Sequence, residues 1–162
     1  MCMNDTPELK IMTRELCHEL FRDWENDAAV FEHPSMMKPY VYDPSEVDRY
    51  FDARQEPSRV VFVIMLEGHP IGELQLKRMD PVRRTCSLSI HMQKDLYKNR
   101  GYGTQAERLA VQYAFDRLDL LAVDADVLIG NVRSQRALEK AGFHLTGQDE
   151  RFRYYRFEKL RR

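Results

Sequence analysis

Apolar and polar positions change period several times along the chain, and each change marks an element. From Thr13 to Val30, residues Leu16, Leu20, Phe21, Trp24 and Ala28 recur at helical spacing, with Thr13 placed to cap the first turn. The segment DPSEVDRYFDARQ, Asp43 to Gln55, predicts a second helix. Asp43 can cap it, Pro44 suits its first position, and Glu46 stands three residues after the cap. A β-rich stretch follows. RVVFVIML, Arg59 to Leu66, reads as a buried strand, EGHP, Glu67 to Pro70, as a turn, and IGELQLKRM, Ile71 to Met79, as an alternating strand. The Asp80-Pro81 turn leads to TCSLSIHM, Thr85 to Met92, where Cys86, Leu88 and Ile90 share one face.

Helical period returns in AERLAVQYAFDRLDL, Ala106 to Leu120, and gives way to a strand over Leu121 to Ile129. Asn131 opens a short helix, SQRALEKAGF, which Gly142 stops. His144 to Glu150 and Arg151 to Leu160 close the chain as two strands. Two helices, a β-meander, a long helix, a strand, a short helix and a strand pair predict an α/β sheet with helices on both faces. No internal repeat or Pro/Gly-rich linker divides the sequence, so one domain over residues 1–162 is expected.

Composition narrows the function classes. With 43% hydrophobic and 31% charged residues and a formal charge of -1, the 162-residue chain is an ordinary globular mixture with no general polyanion-binding surface. No apolar run approaches the ~18 residues of a membrane span, and MCMNDTPELK has neither part of a secretion signal. Cys2, Cys17 and Cys86 lack CxxC spacing, which argues against a disulfide framework or a zinc site and for a cytoplasmic, reducing location. The ending RFRYYRFEKLRR interleaves aromatics with arginines, yet Phe152, Tyr154 and Arg156 alternate as in an amphipathic strand, and no nucleic-acid partner is expected.

The chemistry centres on KNRGYGTQA, Lys98 to Ala106, with two glycines just ahead of the long helix. Glycines let a chain curl and let an anion approach the unpaired N–H groups of a helix start, while Lys98, Asn99 and Arg100 add donors and charge. A plain turn is the other reading, and this segment alone leaves both open. It is no Walker A motif, since Thr104-Gln105 follows Gly103. It matches only the looser dinucleotide fingerprint, through Ala106, and it follows a meander strand instead of the first strand of a βαβ unit.

A meander strand, a loop of the form Arg/Gln-x-x-Gly-x-Gly/Ala, a long helix, then strand, Asn, helix and Gly-Phe resembles the GNAT superfamily of acyl-CoA N-acyltransferases. Lys98, Gly101 and Gly103 carry the loop, and Asn131 opens NVRSQRALEKAGF. The likeness runs from about Val60 onward, with its core from Thr85 to Phe143. It is most similar to the branch holding ribosomal-protein N-terminal and spermidine acetyltransferases. The resemblance implies a mixed, mostly antiparallel central sheet with a splayed strand pair and helices on both faces. It also implies acetyl-CoA as donor, no metal, and an amine acceptor, either a small molecule such as a polyamine or a protein N-terminus. Many relatives dimerise, so a homodimer is a further expectation.

Carried over residue by residue, His91, Met92 and Gln93 offer strand backbone to pantetheine, with the N–H of Met92 or a neighbour facing the oxyanion. Lys98, Asn99, Arg100, Gly101, Tyr102, Gly103 and Thr104 cradle the pyrophosphate. Asn131 contacts the pantetheine arm, caps its helix, or does both. The catalytic candidates are Ser134 as general acid, and His91 or Glu73 as general base. Glu32 and His33 lie in the region that shapes the acceptor pocket. There are three departures from the family pattern: Lys98 stands for Arg or Gln, Leu138 stands where many members place a proton-donating Tyr, and Ser87 stands where the ribosomal-protein branch often has Glu. The last two keep a second reading alive, an acyl-CoA-binding module with weak or lost catalysis.

Overall fold

The computed structural model describes residues 6–160; Cys2 and the two terminal arginines lie outside them. Strands β1 (Glu8–Ile11), β2 (Val60–Leu66), β3 (His69–Asp80), β4 (Thr85–Met92), β5 (Ala122–Leu128), β6 (His144–Gln148) and β7 (Phe152–Glu158) form one seven-stranded sheet. Its order is β1-β2-β3-β4-β5-β7-β6. Only β4 and β5 run parallel; every other neighbouring pair is antiparallel. Helices α1 (Arg14–Arg22), α2 (Pro44–Ala53), α3 (Tyr102–Asp116) and α4 (Val132–Ala141) cover the faces.

The period of two along β2 assigns each helix pair to its side. Val61, Val63 and Met65 bury against Cys17, Leu20 and Phe21 of α1 and Val47 of α2. Their neighbours Phe62 and Ile64 bury on the other face with Ala106, Ala110 and Ala114 of α3 and Leu138 of α4. A strand covered on both faces reads as a continuous apolar run, which is why VVFVIML shows no alternation. Each fully buried leucine, such as Leu20 or Leu74, contributes roughly 2 kcal/mol by leaving water. Cys17 and Cys86 are buried free thiols, and burial pushes both pKa values up to about 12.

The helix expected to run to Val30 ends at Arg22 instead. The Glu25 N–H donates to the Gln93 carbonyl at 2.8 Å, and Asp27 caps a separate 3-10 turn, Ala28–Val30. Trp24 keeps helical spacing to Phe21 only because the two rings pack, centroids 4.9 Å apart. The β2–β3 turn is tighter than EGHP: Glu67 and Gly68 take φ of 49° and 80°, the left-handed pair of a two-residue hairpin turn, and His69 and Pro70 join the strand. β1, absent from the sequence reading, is four residues long and takes its register from the β2 edge. Among the described residues no helix is long and apolar enough to cross a membrane, and no group of three or more His, Cys, Asp or Glu could hold a metal.

Gly142 ends α4 with φ 113°, its N–H reaching the Leu138 and Glu139 carbonyls at 3.1 Å. A Cβ there would sit 2.6 Å from the Phe157 ring, itself packed on Phe143. Gly142→Ala is therefore expected to lower unfolding stability by roughly 2–4 kcal/mol. Gly130→Ala, whose Cβ meets nothing within 4 Å, should stay within about 0.5 kcal/mol, both read by urea denaturation.

Candidate active site

β4 and β5 pair over three residues, Thr85 with Ala122, Cys86 with Val123 and Ser87 with Asp124, and then part. Each strand stays with its outer neighbour: β4 follows β3 as far as Met92, and β5 follows β7 as far as Leu128. At the point of parting Asp124 is held by Arg156 of β7, with contacts of 2.6 and 2.9 Å. The wedge between them, about 170 Å³, is lined by Leu88, Ile90, Ala125, Val127, Ser134 and Leu138.

The edge that β4 turns to this wedge follows from one hydrogen bond. The Gln93 N–H donates to the Ile71 carbonyl at 2.8 Å, so Gln93 faces β3. By strand alternation Ser89 and His91 face β3 as well, whereas the backbone groups of Ile90 and Met92 face the wedge. This corrects two expectations. Gln93 has no backbone to offer, because its carbonyl also accepts from Glu25 and its side chain donates to the Leu20 carbonyl. His91 contributes its side chain to the cleft, not its backbone. The backbone of Met92 faces the wedge, and that of Ile90 does so as well.

The glycine loop lies at the mouth. Asn99 and Gly101 take φ of 60° and 81°, and Gly101 is the N-cap of α3 with no side chain bonded there. The first-turn N–H groups of Tyr102, Gly103 and Thr104 thus have no side-chain cap, at the positive end of a 15-residue helix. A Cβ on Gly103 would meet only Ile90, at 3.8 Å. Lys98 and Asn99 line the cleft, but the Lys98 charge is already paired and further cations come from α3 and α4. The Lys98 side chain is 5% exposed and committed to Asp27 at 2.8 Å and Asp95 at 2.7 Å. Arg108, Arg133, Arg136 and Lys140, on α3 and α4, also line the cleft. Burial opposes ionisation of Asp27, but hydrogen bonds from Lys98 and the Ala29 N–H outweigh it and hold its pKa below the ordinary value.

A single cleft of about 1380 Å³ joins this mouth to the opposite face of the sheet. There Glu73 of β3 and His91 of β4 are direct cross-strand partners and both line the cleft. Glu73 is 2% exposed. The Tyr50 hydroxyl reaches its two oxygens at 2.6 and 2.7 Å, and the Gln75 amide donates to it as well. Arg59 anchors Gln75 at 2.6 Å. Burial first, then the Glu73 charge, raises the Tyr50 pKa far above its ordinary value, so Tyr50 remains a donor. His91 is exposed at the cleft, although protein surrounds its ring closely enough to desolvate it. Desolvation lowers its pKa, and Glu73 opposes that only in part, which leaves the imidazole neutral at pH 7.

Asn131 lines the cleft and caps α4, its Oδ1 accepting from the Ser134 N–H at 3.3 Å. Ser134 lines both the cleft and the wedge, beside the buried Leu138. Glu32 contacts Arg151, and the His33 Nδ1 contacts Ser35, so neither belongs to the Glu73–His91 group. Tyr50, Gln75 and Asp27 escaped the sequence reading, since nothing local marks a helix tyrosine as the partner of a strand carboxylate.

Glu107, one turn below Gly103, is 0% exposed, lines the cleft and has no hydrogen-bond partner on either carboxylate oxygen. Burial raises its pKa from 4.5 to about 8, so it is protonated at neutral pH. The folded state then holds a proton that the unfolded chain has released, and stability falls as pH rises from about 4.5 to about 8. Relative to Glu107→Gln, the wild type is expected to lose up to about 1.4 kcal/mol per pH unit across that window and to level off above it, measured by denaturant unfolding at stepped pH.

Comparison with known proteins agrees with this geometry. Residues 9–144 match the family described as Acetyltransferase (GNAT) domain. The probable N-acetyltransferase YjcK of Bacillus subtilis is 47% identical over 51 residues, 32% of this chain and 28% of that protein. Spermidine N(1)-acetyltransferase of Escherichia coli K12 is 26% identical over 119 residues, 70% of this chain and 63% of that protein. The match thus spans less than two thirds of each of these relatives. Among solved structures, AAC(6')-Ib in complex with ribostamycin and coenzyme A superposes with a TM-score of 0.77 at 19% identity, covering 96% of this chain and 94% of that one. Spermidine N-acetyltransferase from Vibrio cholerae with CoA and spermine gives 0.70 at 14% identity, covering 96% of each. With its sheet parted at Ser87–Asp124 and a glycine-led helix opening beside the gap, the chain belongs to the GNAT acetyltransferase family.

Proposed function

We propose that the chain forms one N-acetyltransferase domain that moves an acetyl group from acetyl-CoA to a primary amine. The carrying observation is the continuity of the cleft, which leads from the uncapped start of α3, past the open edge of β4, to Glu73 and His91. The N–H groups of Tyr102, Gly103 and Thr104, with Arg108, Arg136 and Lys140 around them, suit the pyrophosphate of CoA. The exposed backbone of Ile90 and Met92 suits the amides of pantetheine, which would complete the sheet where β5 leaves it.

In this reading the amine nitrogen bonds to the acetyl carbonyl carbon as the carbon–sulfur bond breaks. The Met92 N–H faces the carbonyl oxygen as it gains charge. Neutral His91 takes the proton that the ammonium must lose, with Glu73 beside it to favour the charged ring. The nitrogen sheds a second proton as it is acylated, and this proton reaches the departing thiolate through the Ser134 hydroxyl or water, which gives one proton and takes the other, because Leu138 has none to give.

Gly103→Val should leave the fold intact, since its Cβ makes only ordinary contact, and weaken CoA binding at least tenfold by calorimetry; unchanged affinity would sink the cradle. Because His91 works as the neutral ring and its pKa is lowered, kcat should hold at pH 6.5 and fall only as pH is lowered through a midpoint below that ordinary value. His91→Ala should abolish that acid limb and reduce kcat about 10²-fold, followed by thiol release.

A further inference from the structure

The far end of the cleft is walled by rings. Phe21 is the hub, with centroids 4.9 Å from Trp24, 6.1 Å from Tyr40 and 5.0 Å from Tyr50. All four side chains line the cleft. Tyr50 joins this wall to the carboxylate, since its ring packs edge-on against Phe21 while its hydroxyl donates to Glu73. Its ring is fixed from another side by the Arg54 guanidinium, 3.4 Å from the centroid.

Charge at this end is sparse. Asp27 is spent on Lys98 at 2.8 Å and Arg133 at 3.1 Å. Glu46, exposed at the rim, is paired with Arg49. Among the described residues lining this end of the cleft, Glu73 is the carboxylate without a cationic partner, buried and hydrogen-bonded by Tyr50 and Gln75. One anion answers one ammonium. A second or third ammonium would have to shed water among aromatic rings, since Asp27 and Glu46 are already paired with Lys98, Arg133 and Arg49. Cation–π contact is weaker than the effective desolvation cost of each further charge and does not offset it.

We propose that the acceptor is a monoamine carried on a flat aromatic body, an arylalkylamine of the phenethylamine type, whose ring stacks within the Phe21–Trp24–Tyr40 wall and whose nitrogen reaches Glu73. The proposal rests on the reading of this cleft as the acceptor end of an N-acetyltransferase. The face opposite α3 and α4 then selects for one charge and one ring, while the donor end is indifferent to the acceptor.

Trp24 is the chain's one tryptophan, so its fluorescence reports this wall directly. The full chain is titrated with phenethylamine, with phenethyl alcohol and with spermidine, and CoA binding is measured separately by calorimetry. Phenethylamine is expected to give a saturable Trp24 response at least tenfold tighter than either of the others. Glu73→Gln, which preserves shape, should bring it down to the level of the alcohol. Spermidine binding as tightly as phenethylamine, or a neutral alcohol binding equally well, overturns the proposal without touching the acetyl-transfer reading. Loss of CoA binding strikes that reading instead, and the Trp24 titration still decides the acceptor class. The comparison of amine with alcohol in the wild type needs no variant to fold.

Discussion

β4 and β5 each keep an outer partner but part from one another. β4 is bound to β3 as far as Met92 and β5 to β7 as far as Leu128, while the parallel ladder between them stops after Ser87–Asp124. The backbone of Ile90 and Met92 is thereby left facing a gap in the middle of a sheet, where an unpaired strand edge is unfavourable. The gap supplies the path through the sheet, a stretch of backbone without a strand partner, and the separation of the glycine-loop end of the cleft from the Glu73–His91 end. α3 starts beside it because the loop after β4 must reverse direction there, and Gly101 in the left-handed region makes that reversal.

A second constraint holds the two halves of the cleft in register. Asp27 lies in the segment between α1 and α2, yet it takes hydrogen bonds from Lys98 of the glycine loop and Arg133 of α4. One carboxylate ties three separate stretches of chain to one point. It also explains why Lys98 does not serve as a free cation: its charge stabilises Asp27, and the positive potential at the mouth comes from α3 and α4. The Glu25–Gln93 and Gln93–Ile71 hydrogen bonds act in the same sense, clamping the end of β4 between β3 and the chain leaving α1.

The two faces of the sheet differ in kind. On the α3 side the lining offers N–H groups, arginines and a protonated Glu107, a setting for phosphate. On the α1–α2 side it offers aromatic rings, a neutral imidazole and one buried carboxylate held by Tyr50 and Gln75. The pKa values of His91 and Glu107 move in opposite directions for one reason, since burial disfavours the charged form of each. Both groups are neutral at pH 7.

Much of this was legible in the residues. The strand periods of β2 to β4, the caps at Thr13 and Asp43, the Gly142 stop and the glycine loop with Asn131 downstream are local signals, settled by backbone sterics and side-chain period. They determined the element order apart from β1 and, through the loop, the glycine-led start of α3 at the mouth of the cleft. Tertiary structure decided what depends on neighbours remote in sequence. It ended α1 at Arg22, with the Glu25 N–H turned to the Gln93 carbonyl just past β4. It turned Gln93 away from the gap, since its backbone phase is set by the bond to Ile71 of β3. It also brought Tyr50 of α2 onto Glu73 of β3, a pairing across 23 residues that no periodicity encodes.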